Sequence, residues 1–208
     1  MELKKPTKEF ISEILEFYDK EEGNELNENL LKLFKTFDND LNKYDVLIKV
    51  EAFGLNYADV MARHGQYREA PPLPSILGYE VVGIVEEVGT DCDQSLLGKR
   101  VVCFTRFGGY AEYAITKNFG ISIIDDMDAG VALCIATQYV TAYYMTNIVQ
   151  NLYEGDRAMI HAGAGGVGTA LIQLCKLKGC TVFANAGSAE KLDYIKKQGA
   201  DYAINYRT

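Results

Sequence analysis

At 208 residues the chain is long enough for one large domain or two modest ones with real cores. Hydrophobic residues make up 48% and charged residues 24%, as in an ordinary globular protein, and a net charge of −8 argues against nucleic acid or an anionic membrane as main partner. No stretch approaches the roughly 18 uninterrupted apolar residues of a bilayer-spanning helix, and the N-terminus lacks the apolar run of a signal peptide.

Residues 1–27 are charged and carry Phe10, Ile11, Ile14, Leu15 and Tyr18 at helical spacing, which predicts an amphipathic helix over 8–20 with Thr7 as a possible cap. Residues 21–29 read as a loop, and 30–37 fit either a helix or an alternating strand. Residues 45–53 alternate and are β-rich, so a strand is expected there; Gly54 then opens a short helix that Gly65 closes. The P-P-L-P-S stretch at 71–75 is compatible only with an extended loop. Further short strands are expected over 80–88, 100–104, 110–116 and 121–124, a succession that suggests a compact β-barrel-like domain. From Met127 the pattern turns helical, over about 128–136 and then 139–150. The domain boundary falls near residue 125: an atypical helical segment over 1–27, a first domain over 28–125, and a second over 126–208.

The second domain carries the strongest signal. An apolar run at 158–162 enters a glycine turn spaced G-x-G-x-x-G (Gly163, Gly165, Gly168). A helical segment with Ala170, Leu171, Leu174, Cys175 and Leu177 follows, then a second apolar run at 181–184 and a third strand at about 201–206. Strand, glycine turn, helix and strand in that order form a dinucleotide-binding unit. One glycine would make the tight turn, one admit a pyrophosphate, and one let helix pack on strand, with the phosphates on the free N–H groups at the helix N-terminus.

An NAD site carries an acid about 20 residues past the glycines. Here Ala184 to Gly187 hold none, and Ser188 and Lys191 stand where a 2′-phosphate would lie, which points to NADPH; the alternative makes Lys191 an ordinary solvated helix lysine. Five cysteines without C-x-x-C spacing read as reduced thiols of a cytoplasmic protein, and His64 and His161 are too few for a zinc cluster.

Four segments fall in the order of one family: G-L-N-Y-A-D-V-M-A-R-H-G-Q-Y (54–67), P-P-L-P-S-I-L-G-Y-E (71–80), V-T-A-Y-Y (140–144) and I-H-A-G-A-G-G-V-G-T-A (160–170). Over residues 45–208 the chain resembles the zinc-free quinone oxidoreductases of the medium-chain dehydrogenase/reductase superfamily, and within them the vesicle amine transport protein-like members. The resemblance implies an α/β plus β architecture, with a GroES-like β-barrel-type catalytic domain followed by an incomplete Rossmann domain. It implies NADPH contacts at Ala164, Gly165, Gly166, Val167, Gly168, Gly187, Lys191 and Tyr206, beside Ser188, and places Asn56 and Tyr67 near the nicotinamide and substrate. Asn56 is equally suited to capping the helix that follows it, and Tyr67 to serving as a core or rim aromatic.

Zinc-dependent relatives would carry a cysteine and a His-Glu pair where this chain has Asn56 and Tyr79-Glu80; a tyrosine typical of the family is Met61 here. The residues thus point to a metal-free site, and the resemblance implies NADPH-dependent reduction of a quinone, enone or related carbonyl compound, with Tyr67 and Tyr79 lining the substrate cleft and all three of Asn56, Tyr67 and Tyr79 as the catalytic candidates. Only the first half of a dinucleotide fold is expected, which would leave its first strand as an edge. A homodimer, or completion by another chain, would cover that edge; the competing reading is a non-catalytic nucleotide-binding or interaction protein.

Overall fold

A computed structural model describes residues 41–72 and 75–207; the helix expected over 8–20, the loop over 21–29 and the ambiguous segment 30–37 lie outside them. The first domain is built on a five-stranded antiparallel sheet in the order β4-β1-β2-β3-β5. Its strands are β1 (Asp45–Phe53), β2 (Glu80–Val88), β3 (Arg100–Phe104), β4 (Tyr113–Lys117) and β5 (Ile121–Ile123). Alternation puts Val46 and Ile48 of β1, Val81 and Val85 of β2, and Val101 and Cys103 of β3 into one buried cluster with Ala114 of β4. The sheet curls far enough that Thr116 Oγ1 of β4 donates to the Phe104 carbonyl of β3 at 2.7 Å, although β1 and β2 separate those strands within the sheet. That curl is the barrel-like closure expected of the first domain.

Between β1 and β2 runs α1 (Tyr57–Arg63), which ends as expected: Gly65 takes the left-handed conformation, φ +68°, that terminates helices at low steric cost. The strand expected from residue 110 begins only at Tyr113. Gly109 and Tyr110 instead donate their N–H groups to the carbonyls of Gly78 and Leu77, so this backbone pins the loop before β2 and is not free to pair with β1. Two short 3₁₀ turns, at Gln94–Leu96 and Asn118–Gly120, were not expected; the first is capped by Asp93, which accepts from Ser95 N.

The two helices expected over 128–136 and 139–150 form one unbroken helical run. It comprises α2 (Ala129–Cys134), a π-helical segment (Ile135–Tyr139), α3 (Val140–Tyr144) and a second π-helical segment (Met145–Val149). Asp128 caps its start by accepting from Val131 N at 3.0 Å. Nothing in the sequence at 137–138 breaks a helix, which is why the expected interruption is absent. Ala132 and Leu133 pack on the outer face of the first sheet with Val82, Val102 and Ile124. Further along, the Tyr139 hydroxyl meets Gln173 of the second domain.

The second domain is a three-stranded parallel sheet in the order β6-β7-β8, from β6 (Arg157–Ile160), β7 (Thr181–Ala186) and β8 (Tyr202–Asn205). Helices α4 (Gly166–Leu177) and α5 (Ala189–Lys197) make the crossovers. This is one half of a Rossmann-type fold. Its core joins Ile172 and Cys175 of α4, Val182 and Ala184 of β7, and Ile195 of α5. Gly168, Ile172 and Cys175 follow helical i, i+4, i+7 spacing; of the expected set Ala170 and Cys175 are buried, whereas Leu177 falls off the stripe and is exposed.

β6 stops at Ile160, two residues short of expectation, because Ala162 turns into the left-handed region at φ 51°. β7 runs two residues longer, because Asn185 and Ala186 pair with Ile204 and Asn205 of β8. Among the described residues β6 pairs with β7 alone, and no described helix is long and apolar enough to cross a membrane.

Candidate functional site

The glycine loop between β6 and α4 is fixed largely by one side chain, Asn185. Its backbone carbonyl accepts from Gly163 N at 2.9 Å and its Oδ1 from Ala162 N at 3.0 Å, while its amide nitrogen lies 2.9 Å from His161 Nδ1. Asn185 is buried, so these bonds form away from competing water. The tight turn therefore sits at Ala162 and not, as expected, at a glycine. The glycines serve close approach. A β-carbon on Gly168 would lie 2.3 Å from the Ala162 carbonyl oxygen and 2.9 Å from Gly163 Cα, so only glycine lets α4 start against the loop. Gly165 is the N-cap and Gly166 begins the helix, which leaves the N–H groups of Gly166, Val167 and Gly168 at the positive end of α4 without helical carbonyl partners. Backbone donors in a bare glycine cradle at a helix N-terminus suit a diphosphate.

At the far end of β7 a second group converges. A β-carbon on Gly187 would come within 2.5 Å of the Tyr206 hydroxyl and 3.1 Å of Arg207 Nε, so Tyr206 and Arg207 lie across this glycine. Ser188 is the N-cap of α5, its Oγ accepting from Lys191 N at 3.4 Å. Ser188, Lys191 and Tyr206 are exposed. The expected cluster of Gly187, Ser188 and Tyr206 is thus assembled, with Lys191 on the first turn of α5 and Arg207 as an added cation.

The third group lies between the sheets. Asn56 is the N-cap residue of α1 and forms a capping box with Asp59, which accepts from Asn56 N at 3.1 Å and from Gly78 N at 3.1 Å. The Asn56 amide nitrogen also spans both carboxylate oxygens of Glu80, at 2.9 and 2.8 Å. Thr137 Oγ1 donates to the same carboxylate at 2.7 Å, and Gln138 Nε2 donates to Asn56 Oδ1 at 3.2 Å.

Glu80 is wholly buried, and burial pushes its carboxyl above the usual range against the pull of Thr137 and Asn56. Gly54 makes room for it: a β-carbon there would fall 1.9 Å from Glu80 Oε1. Thr137 and Gln138 belong to the first π-helical segment, whose wider turn aims successive side chains toward the first domain. Gln138 also reaches the glycine loop, its Cγ 2.8 Å from where a β-carbon on Gly166 would stand.

Beside this network stands an aromatic wall. Tyr79 packs edge-on against Tyr67, with centroids 6.1 Å apart, and against Phe104 and Phe107 at 5.4 and 4.9 Å. Burial raises the Tyr79 hydroxyl well above its ordinary value, helped by the Tyr67 hydroxyl beside it, so it keeps its proton. The structure therefore brings the glycine loop together with Asn56 and Glu80 through Gln138 and pairs Tyr67 with Tyr79, the residue before Glu80, while Gly187, Ser188, Lys191 and Tyr206 form a separate group beyond the loop. Thr137, Gln138 and Asn185 were not singled out from the sequence, and Glu80 was noted only as standing where zinc-dependent relatives carry a His-Glu pair. The one available signal was an acid inside an otherwise apolar strand, E-V-V-G-I-V.

Two family descriptions match the chain: "Alcohol dehydrogenase GroES-like domain" over residues 42–142 and "Zinc-binding dehydrogenase" over 166–208. The human synaptic vesicle membrane protein VAT-1 homolog-like is 34% identical over 182 residues, 84% of this chain and 43% of its own length. The chain belongs to the medium-chain dehydrogenase/reductase superfamily. The rat quinone oxidoreductase, of the same superfamily, is 33% identical over 166 residues, 79% of this chain and 50% of its own.

Among solved structures, Escherichia coli quinone oxidoreductase complexed with NADPH superposes with a TM-score of 0.75 at 30% identity, over 81% of this chain and 52% of that one. The human VAT-1 homolog-like protein gives 0.74 at 34%, over 80% and 54%. The chain spans about half the length of the curated relatives it matches, or a little less. One superfamily description carries zinc in its name, and the residues here do not fit that ion. Among the described residues no group of three or more His, Cys, Asp or Glu side chains comes together, and the central network offers an amide, a hydroxyl and one carboxylate where zinc takes thiolate and imidazole.

Proposed function

We propose that this chain carries the substrate-facing domain (28–125) and the first half of the dinucleotide-binding domain (126–208) of an NADPH-dependent, zinc-independent reductase of quinones, enones or related carbonyl compounds, acting in the cytoplasm. The observation that carries the reading is the unbroken contact from the glycine loop through Gln138 to Asn56 and Glu80, beside the Tyr67–Tyr79 wall. A cofactor seated on the loop would thereby lie next to the Gln138–Asn56–Glu80 network, whose Glu80 follows Tyr79 in the chain. The NADPH-complexed E. coli quinone oxidoreductase of the same fold supports it.

In this reading the N–H groups at Gly166 to Gly168, with Ala164, Gly165 and Val167, hold the diphosphate. Ser188, Lys191 and Tyr206 hold the 2′-phosphate end across Gly187. When bound, the reduced nicotinamide supplies hydride to an electrophilic carbon. The protein's own part is to orient and to exclude water. Asn56 is held by Glu80 and Gln138, the rings of Tyr67 and Tyr79 present a flat apolar face, and the Tyr79 hydroxyl retains a proton at the wall. No metal enters, so a chelator should leave turnover unchanged.

Calorimetric titration tests the reading directly. 2′-Phospho-ADP-ribose should bind more tightly than ADP-ribose, and Lys191→Ala should remove about 1.5–3 kcal/mol of that advantage, the worth of a charge-assisted contact. Equal affinities, or an indifferent Lys191→Ala, would refute it. A second reading is a non-catalytic nucleotide-binding or interaction protein. The half-exposed Met159 on β6, a strand paired on one side only among the described residues, favours it, and a homodimer through that strand would cover both. An NADPH-oxidation assay with a simple quinone separates the two.

A further inference from the structure

Gln138 spends only half of its amide. Its Nε2 donates to Asn56 Oδ1 at 3.2 Å, whereas its Oε1, shielded from solvent, accepts from no group among the described residues. A buried carbonyl without a donor has lost its water partners and gained nothing in return, so such an atom calls for an explanation. The groups bonded to Gln138 and to one another are satisfied: both Glu80 oxygens are taken by Asn56 and Thr137, and the Asn56 amide is taken by Glu80 and Gln138. Asn56 is therefore a strut with both ends engaged, and the free hydrogen-bonding capacity of the network lies at Gln138.

Gln138 is also where the network touches the glycine loop, against Gly166. Along a dinucleotide held as proposed above, the adenosine end sits by Gly187 and Tyr206 and the diphosphate on Gly166 to Gly168. The nicotinamide nucleoside then extends from the diphosphate on the side facing the first domain.

We infer that Gln138 is a cofactor-binding residue whose Oε1 accepts a hydrogen bond from a donor of the nicotinamide nucleoside, either the carboxamide N–H or a ribose hydroxyl, and that Asn56 and Glu80 are positioning residues that hold its amide in that orientation. The inference rests on the dinucleotide reading and extends it to the specificity of the nicotinamide end. The π-helical geometry at Ile135–Tyr139 suits the role, since it points Thr137 and Gln138 at successive members of one network.

The test is a binding panel on the full 208-residue chain with three probes: NADP⁺, its 3-acetylpyridine analogue, which has no amide N–H, and 2′-phospho-ADP-ribose, which has no pyridine ring. Gln138→Met removes the acceptor at similar volume. It should weaken NADP⁺ about tenfold, the worth of one buried hydrogen bond, and leave 2′-phospho-ADP-ribose unchanged, which also shows the variant to be folded. If the carboxamide is the donor, the variant binds the acetylpyridine analogue as the parent does; if a ribose hydroxyl is the donor, the analogue weakens equally.

Gln138→Glu, which keeps an acceptor at the same reach, should hold NADP⁺ more tightly than Gln138→Met. Unchanged NADP⁺ affinity in Gln138→Met overturns the inference, as does an equal loss for 2′-phospho-ADP-ribose, which would make the side chain a mere prop for the loop. Failure of the parent chain to bind 2′-phospho-ADP-ribose at all would instead overturn the dinucleotide reading beneath it.

Discussion

Gly168→Ala tests the glycine loop most sharply, because two opposing effects can be sized. Gly168 lies inside α4, where alanine is preferred over glycine by about 1 kcal/mol. Propensity alone therefore predicts a more stable variant. Against this, the new methyl would stand 2.3 Å from the Ala162 carbonyl oxygen, about 1 Å inside ordinary contact distance, and 2.9 Å from Gly163 Cα. Both obstacles are backbone, and Ala162 and Gly163 are tied to Asn185, so no rotamer change relieves the overlap.

Overpacking of this kind costs roughly 1–3 kcal/mol, and contact with a tethered main chain belongs at the upper end. The net is a loss of about 2 kcal/mol, or roughly 4–8 °C in melting temperature for a chain of this size. The displaced loop should lose most of its affinity for 2′-phospho-ADP-ribose. Gly163→Ala is the control: its nearest obstacles are the Ala184 and Ile195 side chains at 3.0 and 3.2 Å, and its cost should be clearly smaller. Thermal melts and calorimetry on both variants decide the matter. A Gly168→Ala protein that melts at or above the parent and binds as well would show that the close approach is not what the glycine serves.

Glu80 should tie stability to pH in the direction opposite to a surface carboxylate. Burial raises it above the ordinary 4.5 in the folded chain, beyond what Thr137 and Asn56 pull back, with Asp59 adding to the rise. Its contribution is then fully present below 4.5 and is lost as pH climbs through the raised value. The stability gap between parent and Glu80→Gln in urea titrations should accordingly narrow as pH rises from about 5 to 8; a widening gap would contradict the assignment. Native alkylation at about pH 8 should modify Cys134 alone, since it is exposed while burial pushes the Cys103 and Cys175 thiols up to about 12 and about 11 and shields Cys92 and Cys180; a second adduct on intact protein counts against this. Met159→Lys, placing a charge on the β6 edge, should lower any self-association seen by sedimentation, and an unchanged association state would rule out pairing through that strand.

The elements were legible where local chemistry is decisive. The alternation over Asp45–Phe53, the Gly65 stop and the strand–glycine–helix order around Gly163 each rest on neighbouring residues, and they emerge as expected. What escaped depends on residues distant in sequence. Tyr110 begins no strand because its N–H is claimed by Leu77, and Thr137 and Gln138 find their partners, Glu80 and Asn56, far along the chain. Ala162, not a glycine, takes the left-handed turn, since Asn185, far along the chain, holds it there. Asn56 reads as a helix cap in sequence, and only the position of Glu80, distant along the chain, gives its amide nitrogen a second partner.

The helical run that begins at Ala129 has a consequence for how the two sheets can be inherited or recombined. Its first turns complete the packing of the antiparallel sheet through Ala132 and Leu133, its middle supplies Thr137 and Gln138 to Glu80 and Asn56, and Tyr139 already reaches α4. A gene fusion or chimera joined at residue 125 would strip the barrel of part of its wall, and one joined after residue 150 would take from the dinucleotide half the helix that α4 leans on. The run is shared property, and neither sheet can be exchanged for that of a relative without exchanging the helix, or re-matching both of its faces, at the same time.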